Sequence, residues 1–257
     1  MRDRQRVRIA IKAGLTHLLA SVVIALICAA LVFQVWYPFP YNRILGGKEL
    51  FLLVVAVDVV CGPVLTAVLF DRTKKRHLLI MDIGLVVVIQ LAALAYGVFT
   101  MYQARPVFLA FEGNRFRVVR HLDVDFEQLA RAPKEFRTIR RDGPTLIAVR
   151  LAASTDRDFP QSIQMSLRGD HPAFRPERWE RYDLQRSKVV AELKPIAKLR
   201  EKYPLRQKMI DDMLRQSGAN ERELGYLPMD AGKYADWVVV VRRQDAQPAA
   251  YLPLDGW

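Results

Sequence analysis

Cysteine is nearly absent from this 257-residue chain, and the two that occur, Cys28 and Cys61, both lie inside long apolar runs. A chain with no cysteine after residue 61 is not a disulfide-stapled scaffold. The four histidines are scattered without the spacing of a zinc site. G-x-S-x-G and G-x-G-x-x-G do not occur, and Gly46-Gly47-Lys48 lacks the rest of a P-loop. We therefore expect no catalytic residues, cofactor, metal or small-molecule substrate.

Long apolar runs are what the sequence has instead, and all three precede residue 103: residues 13–36, 50–70 and 78–99. About 18 to 20 consecutive apolar residues are enough to cross the hydrocarbon core of a membrane as a helix. Residues 103–257 are polar, with 28 basic and 22 acidic residues, against 11 and 5 in residues 1–102. The sequence thus predicts a membrane protein with a three-helix transmembrane anchor at 1–102 and an extramembrane α+β domain at 103–257.

Basic residues precede the first apolar run, which is also the pattern of a signal peptide. Its 24 residues exceed a normal signal-peptide core, so we predict an uncleaved anchor. Five Lys/Arg residues precede this run and four lie in residues 71–77, whereas residues 37–49 contain two. The positive-inside rule then places the amino terminus in the cytoplasm and the C-terminal domain in the periplasm. The prediction is a multi-pass protein of the bacterial inner membrane, in contact with membrane lipid.

Polar side chains inside membrane helices are costly and need partners. A rise of about 1.5 Å per residue puts Asp58 and Gln90 at one depth, so we predict a hydrogen bond between them. The same arithmetic puts His17, Thr66 and Asp82 in a second polar layer near the cytoplasmic end. These residues could form a proton or ion path, or hydrogen bonds that hold the helices together. The second interpretation is favoured because three helices enclose little of a pore.

Gly62-Pro63 lies midway along the second apolar run. Proline removes the backbone hydrogen bond to the Val59 carbonyl and should kink the helix. Gly62 leaves room for the close approach of another helix. The pair is either required by the fold or forms a notch for a helix of another protein, and the sequence leaves both possibilities open.

The extramembrane part has alternating strand and helix patterns. Residues 106–111 and 115–120 read as strands of a hairpin around Glu112-Gly113-Asn114. Further strands are expected at 145–151, 162–167, 236–243 and 248–254, and helices at 125–131, 186–203 and 205–216, the last ending at Gly218. This pattern predicts an α+β domain.

One motif occurs twice, on either side of the valine-rich segment 236–243: Tyr226-Leu227-Pro228 and Tyr251-Leu252-Pro253. The favoured interpretation is a pair of edge segments that flank this strand. The other is a partner-binding rim that presents Tyr226, Pro228, Tyr251 and Pro253. Basic residues of this domain alternate with acidic ones, so nucleic acid is not an expected partner.

Six short motifs follow one another along the first 120 residues: 16–21 (THLLAS), 35–38 (VWYP), 57–66 (VDVVCGPVLT), 90–98 (QLAALAYGV), 105–107 (RPV) and 111–116 (F-x-x-x-R-F). Together they resemble the TfpX/TfpZ family of type IV pilin accessory proteins. After residue 120 the resemblance is limited to the general layout of strands and helices. It implies an inner-membrane protein with a periplasmic domain that helps pilin subunits to become assembled pili, with no reaction assigned.

The predicted function is therefore a non-enzymatic accessory factor for type IV pilus biogenesis that binds the major pilin. Asp58 and Gly62-Pro63 are candidates for contact with the pilin helix, and the two Tyr-Leu-Pro segments for contact with its globular head. The alternative is a small membrane transporter or membrane-bound enzyme that uses Asp58 and Asp82 as titrating carboxylates. Asp58→Asn separates the two, because a hydrogen-bonding role tolerates the amide and proton chemistry does not.

Overall fold

The computed structural model describes residues 2–70, 74–232 and 236–257, and the side chains of all of these except residues 2–7 and 50. Arg72, one of the basic residues used above for orientation, lies outside the described residues, as do the side chains of Arg2, Arg4 and Arg6. The chain divides into two compact units, Met1–Arg105 and Pro106–Trp257.

Helices make up the first unit. Helix α1 covers Arg2–Ala30 and continues as a π-helical segment, Leu31–Trp36. After the short helix α2, Tyr41–Ile44, come α3 (Gly47–Ala56), a π-helical segment (Val57–Cys61) and α4 (Gly62–Leu69), which together form one continuous helix. Helix α5 covers Arg76–Ala104.

Three of these helices are long and apolar enough to cross a membrane, by length and composition: Arg8–Trp36, Gly47–Leu69 and Arg76–Ala104. Each overlaps one of the predicted spans. Their outer surfaces are apolar, with side chains such as Leu19 and Val68 exposed by 66% and 75%. A water-soluble protein rarely leaves so much contiguous apolar surface uncovered.

An aromatic cluster joins the three long helices at one end. Its buried members are Val32, Trp36, Tyr37, Phe51 and Met101. The Tyr37 hydroxyl donates a 2.8 Å hydrogen bond to the Met101 carbonyl. This cluster fixes α1, α3 and α5 to one another at that end.

The second unit is built on a mixed seven-stranded sheet of order β4-β3-β1-β2-β5-β6-β7. The β1–β3 and β2–β5 pairs are parallel, and the other four neighbouring pairs are antiparallel. The strands are β1 Pro106–Phe111, β2 Phe116–Arg120, β3 Thr145–Val149, β4 Trp179–Arg181, β5 Leu224–Asp230, β6 Trp237–Arg242 and β7 Pro248–Leu252. The helices are α6 Phe159–Leu167, α7 Arg186–Glu192, α8 Ile196–Lys202 and α9 Gln207–Ser217. Three long apolar helices followed by an α+β domain agree with the predicted order of elements, and the first unit has the length and composition of membrane-spanning helices.

Among the residues that the structure describes, two apolar clusters contribute to the core of this domain. One surrounds Trp179 and Phe108, whose ring centroids are 4.6 Å apart. The other packs Leu199 of α8 and Ile210 of α9 against β5, β6 and β7. The predicted hairpin and the predicted valine strand are both confirmed, and the four valines of β6 are fully buried.

Three predicted elements of the domain are wrong. Residues 162–167 belong to helix α6 instead of a strand, since Pro160 in the first turn favours a helix start. Residues 125–131 contain a single 3-10 turn, Leu129–Arg131, in place of an α-helix. The helix predicted at 186–203 is interrupted before Pro195, because proline and the residue before it resist helical geometry.

A buried ion network in this domain was not predicted. Arg117 on β2 pairs with Glu112 (Nε to Oε2, 2.5 Å) and with Asp230 of β5 (Nη1 to Oδ2, 2.9 Å). The second carboxylate oxygen of Glu112 accepts a hydrogen bond from the Ala173 amide at 3.2 Å. Arg117 and Glu112 are both buried, so the network ties β2 to β5 and to the segment at Ala173.

Candidate functional site

A cleft of about 860 Å³ lies among the three long apolar helices of the first unit. Its walls are mostly apolar, and four polar residues selected from the sequence line it: His17, Asp58, Thr66 and Gln90. Helix α1 contributes side chains at intervals of three or four residues, which is one face of a helix. The members of this α1 stripe are Ile9, Ala13, Thr16, Ala20 and Ile24.

The local backbone around Pro63 explains why Gln90 meets Asp58. In the π-helical segment Val57–Cys61, hydrogen bonds run from residue i+5 to residue i, so the Asp58 carbonyl would need the nitrogen of residue 63. Proline has no N–H to give. The Gln90 side chain donates to this carbonyl instead, with Nε2 to O at 3.0 Å. The predicted hydrogen bond between Gln90 and Asp58 is therefore present, with the Asp58 backbone carbonyl as its acceptor.

Two side-chain oxygens at this position remain without a donor. Within the part of the chain that the structure describes, Asp58 Oδ1 and Gln90 Oε1 are buried and have no hydrogen-bond partner. Asp58 is only 8% exposed. A buried polar atom that is left unpaired is destabilising, and native proteins contain few of them.

The second predicted polar layer forms only in part. His17 Nδ1 and Thr66 Oγ1 are 2.6 Å apart and link α1 to α4. Asp82 does not join them: its Oδ2 is 2.7 Å from Lys74 Nζ, in an ion pair close to the end of α4. The prediction missed this pair because Lys74 was counted only as a cytoplasmic charge. Lys74 also donates to the Leu69 carbonyl, as cations near helix C-termini do.

The space at Gly62 and Pro63 is filled by the chain itself. Both residues are buried, and a Cβ atom added to Gly62 would lie 2.6 Å from Gln90 Cδ. On α1, a Cβ added to Gly14 would lie 3.0 Å from the Pro63 carbonyl oxygen and 3.1 Å from Ala67 Cβ. Close packing of α1 and α5 on this part of α4 favours the interpretation that the fold requires the pair.

Gly62→Ala should therefore displace the Gln90 amide and destabilise the helix bundle by about 1 to 3 kcal/mol, as overpacking does. Gln90→Ala removes the same contact, so the double variant should lose less than the sum of the two single losses. Gly84→Ala is the matched control, because a Cβ there meets nothing within 4 Å. Thermal unfolding in detergent micelles measures all four proteins, and additive losses would contradict the assignment.

The two Tyr-Leu-Pro segments occupy different environments in the second unit. Strands β5 and β7 do flank β6, as predicted, but only β7 is at the edge of the sheet. Tyr226 and Pro228 are buried in β5, and Lys194 pairs with the Tyr226 backbone through hydrogen bonds of 2.9 and 3.0 Å. Burial raises the pKa of the Tyr226 hydroxyl. The prediction of two edge segments is wrong for this copy, because its side chains are buried.

The second Tyr-Leu-Pro segment is more exposed to solvent than the first. Tyr251 is half-buried on β7, and Pro253, just after the strand, is exposed. A role of either copy in partner binding stays a prediction.

The sequence analysis did not predict the cleft, although His17, Asp58, Thr66 and Gln90, which line it, were each selected. The α1 stripe contains a pattern that could have indicated the cleft, because small residues such as Ala13 and Ala20 lie among bulky apolar residues of this helix. Small residues let a second helix approach closely in a membrane. For the residues that can be described, no group of three or more His, Cys, Asp or Glu is arranged to hold a metal ion.

Comparisons with known proteins give one consistent family. Residues 5–46 match the family model of the fimbrial assembly protein FimB. The chain is 34% identical over 240 residues to the fimbrial assembly protein of serogroup E1 of Dichelobacter nodosus, and 33% identical to that of serogroup I. Each alignment covers 93% of both chains. The protein of serogroups C1 and C2 is 40% identical over 130 residues, which are 51% of this chain and 99% of that protein. No solved structure matches the chain.

Proposed function

Because the chain belongs to the fimbrial assembly protein family, we propose that it is an accessory factor for type IV pilus biogenesis that binds the major pilin. It acts in the bacterial inner membrane and catalyses no reaction. The observation that carries this proposal is the cleft among the three apolar helices. A pilin subunit that waits in the membrane before assembly has an apolar helix in the bilayer, and a cleft in a membrane helix bundle offers that helix a protein surface to pack against.

The arrangement of basic residues supports the orientation. Lys12 on α1, Lys74 and Lys75 before α5, and Arg76 at the first position of α5 would lie at the cytoplasmic face. The domain from Pro106 onward would then be periplasmic, on the side where pilin heads are exposed. The cleft, which reaches from Ile9 to Ala25 along α1, would open in the cytoplasmic half of the membrane.

The transporter or enzyme alternative needs two titrating carboxylates that work together. Asp82 pairs with Lys74 instead. Asp82 precedes Gln90 by eight residues on α5, so the two residues are about 12 Å apart along the helix axis. Asp58 lies at the level of Gln90. This separation favours the accessory role over a shared proton path.

The test is to delete the gene in a piliated host and to restore it as wild type, Asp58→Asn or an Asp58→Asn, Asp82→Asn double variant. Deletion should abolish or strongly reduce surface pili, and all three proteins should restore them within about twofold, since an amide retains a hydrogen-bonding oxygen. Normal pili after deletion would contradict the proposal. Loss of function in the Asn variants, together with pH-dependent transport by the wild type, would establish the alternative.

A further inference from the structure

A pocket of about 470 Å³ lies at the turn of the β1–β2 hairpin in the extramembrane domain. Arg115, just before β2, and Arg117, on β2, both line it. Side chains alternate along an extended chain, so residues two apart face the same way. Phe116, which lies between them, is fully buried in the core. The other residues of the wall are Glu112, Gly113, Asn114, Leu151, Ser166, His171 and Pro172.

The Arg115 guanidinium is held in place by its neighbours. Its Nε donates a 3.2 Å hydrogen bond to Asn114 Oδ1, and its Cζ lies 4.4 Å from the centroid of the Trp257 ring. Its backbone carbonyl accepts a 2.9 Å hydrogen bond from the Glu112 amide, which closes the hairpin turn. A guanidinium that is fixed before binding loses little conformational entropy when a ligand arrives.

The two terminal nitrogens of Arg115, Nη1 and Nη2, are free to bind a ligand. Neither donates a hydrogen bond to any residue that the structure describes. Neither is buried, in contrast to Arg175 Nε and Arg178 Nη1, which are shut inside the domain. A partner that enters the pocket can therefore reach both donors of Arg115.

The charges around Arg115 are already balanced. Arg117 is paired with both Glu112 and Asp230. His171 is half-buried, and its pKa is lowered first by burial and then by the positive charge of Arg117, so the ring is largely uncharged near neutral pH. Of the charged residues in this wall, Arg115 alone has no ion pair with another described residue.

A carboxylate is the ligand that this arrangement fits. A guanidinium with both terminal nitrogens free can bind a carboxylate end-on, through two parallel N–H···O hydrogen bonds. Beside it, Leu151, which is 44% exposed, and Pro172 offer apolar surface to the carbon atoms that carry the carboxylate. Anionic membrane surfaces are instead attracted by clusters of several basic residues. One unpaired arginine beside apolar surface therefore favours a carboxylate carried by a protein.

We propose that this pocket binds a carboxylate group on the globular head of the pilin, with Arg115 Nη1 and Nη2 as the two donors. This inference rests on the proposed function and adds to it a contact made by the extramembrane domain, in addition to the cleft. Arg115 belongs to the motif F-x-x-x-R-F at residues 111–116, whose two phenylalanines are buried in the core. Packing thus explains Phe111 and Phe116, and carboxylate binding explains the arginine.

The test measures the Kd between the full-length protein and full-length pilin, both purified in a neutral detergent without added lipid. Arg115→Gln should raise the Kd at least about tenfold, because it removes a pair of charge-assisted hydrogen bonds. Arg115→Lys keeps the charge without the two parallel donors and should recover only part of the affinity. Arg140→Gln is the matched control, since Arg140 is exposed, pairs with Asp142 and does not line the pocket. It should stay within about twofold of wild type.

A second series changes only the pilin and so does not depend on the folding of an Arg115 variant. Each Asp and Glu of the pilin head is replaced by its amide in turn, and the C-terminal carboxylate is amidated in a further variant. One of these changes should raise the Kd about tenfold with the wild-type chain and have little further effect with Arg115→Gln. Which change does so shows whether the carboxylate belongs to a side chain or to the chain terminus.

The outcomes separate this inference from the proposed function. Arg115→Gln binding within about twofold of wild type, or a pilin series in which no change couples to Arg115, overturns the carboxylate contact and leaves pilin binding standing. Absence of pilin binding by the wild-type chain contradicts the proposed function as well. An effect of Arg115 that appears only after phosphatidylglycerol is added would assign the pocket to a lipid phosphate, and the inference would be wrong.

Discussion

Arg117→Met should unfold or severely destabilise the extramembrane domain, with a loss of about 3 to 5 kcal/mol in its free energy of unfolding. The substitution keeps most of the side-chain volume but removes the cation that lies between Glu112 and Asp230. Glu112 is buried and would keep only the hydrogen bond from the Ala173 amide. Domains of this size are commonly stable by about 5 to 15 kcal/mol, so the loss is a large share of the total.

Pulse proteolysis of the full-length protein in detergent micelles measures this effect. Arg140→Met is the matched control, because Arg140 pairs with Asp142 on the exposed surface and such pairs contribute little. Adding Glu112→Gln and Asp230→Asn to Arg117→Met should recover part of the loss, since no unpaired buried charge remains. An Arg117→Met protein as resistant to protease as the control would show that the network is not structurally important.

Ala20→Phe should abolish the assembly function while leaving the protein folded. Ala20 is an exposed member of the α1 stripe, so a phenyl ring there would project into the cleft and occupy the space of a docked helix. We expect surface pili and captured pilin to fall by at least about tenfold, which corresponds to a loss of about 1.4 kcal/mol in binding.

Leu19→Phe provides the control for this change. Leu19 is the neighbouring residue on α1, is 66% exposed and does not line the cleft. It should retain pili and pilin capture, because its ring would face the lipid. The comparison is made by counting surface pili and by measuring how much of each variant accumulates. If both variants lose pili equally, or if neither loses them, the assignment of the cleft as the docking site is contradicted.

Local patterns in the sequence were enough to predict much of the fold. Hydropathy alone located the three long helices, because each is a long apolar run without a break. The hairpin and the valine strand also follow from short-range signals: Gly113 adopts the left-handed φ of +71° that its turn requires, and the valines of β6 are all buried. The error at residues 162–167 came from weak alternation, which could not outweigh Pro160.

Contacts that depend on exact backbone register could not be predicted in the same way. The rise per residue of a helix placed Asp58 and Gln90 at one depth. In an α-helix, however, the carbonyl that loses its backbone donor to Pro63 is that of Val59. The π-helical segment moves it to Asp58, where Gln90 meets it. Tyr226 was expected at an edge because a motif does not reveal that β2 and Lys194 cover the other side of its strand.

Photocrosslinking from two neighbouring residues of α5 tests most directly whether the cleft receives a pilin helix. Val87 lines the cleft, whereas Val88 does not and is 64% exposed. With a diazirine-bearing residue at one position or the other, in cells that make tagged pilin, we expect a pilin adduct from Val87 and mainly lipid adducts from Val88. Pilin adducts of equal yield from both positions, or lipid adducts alone from Val87, would contradict a pilin helix in the cleft.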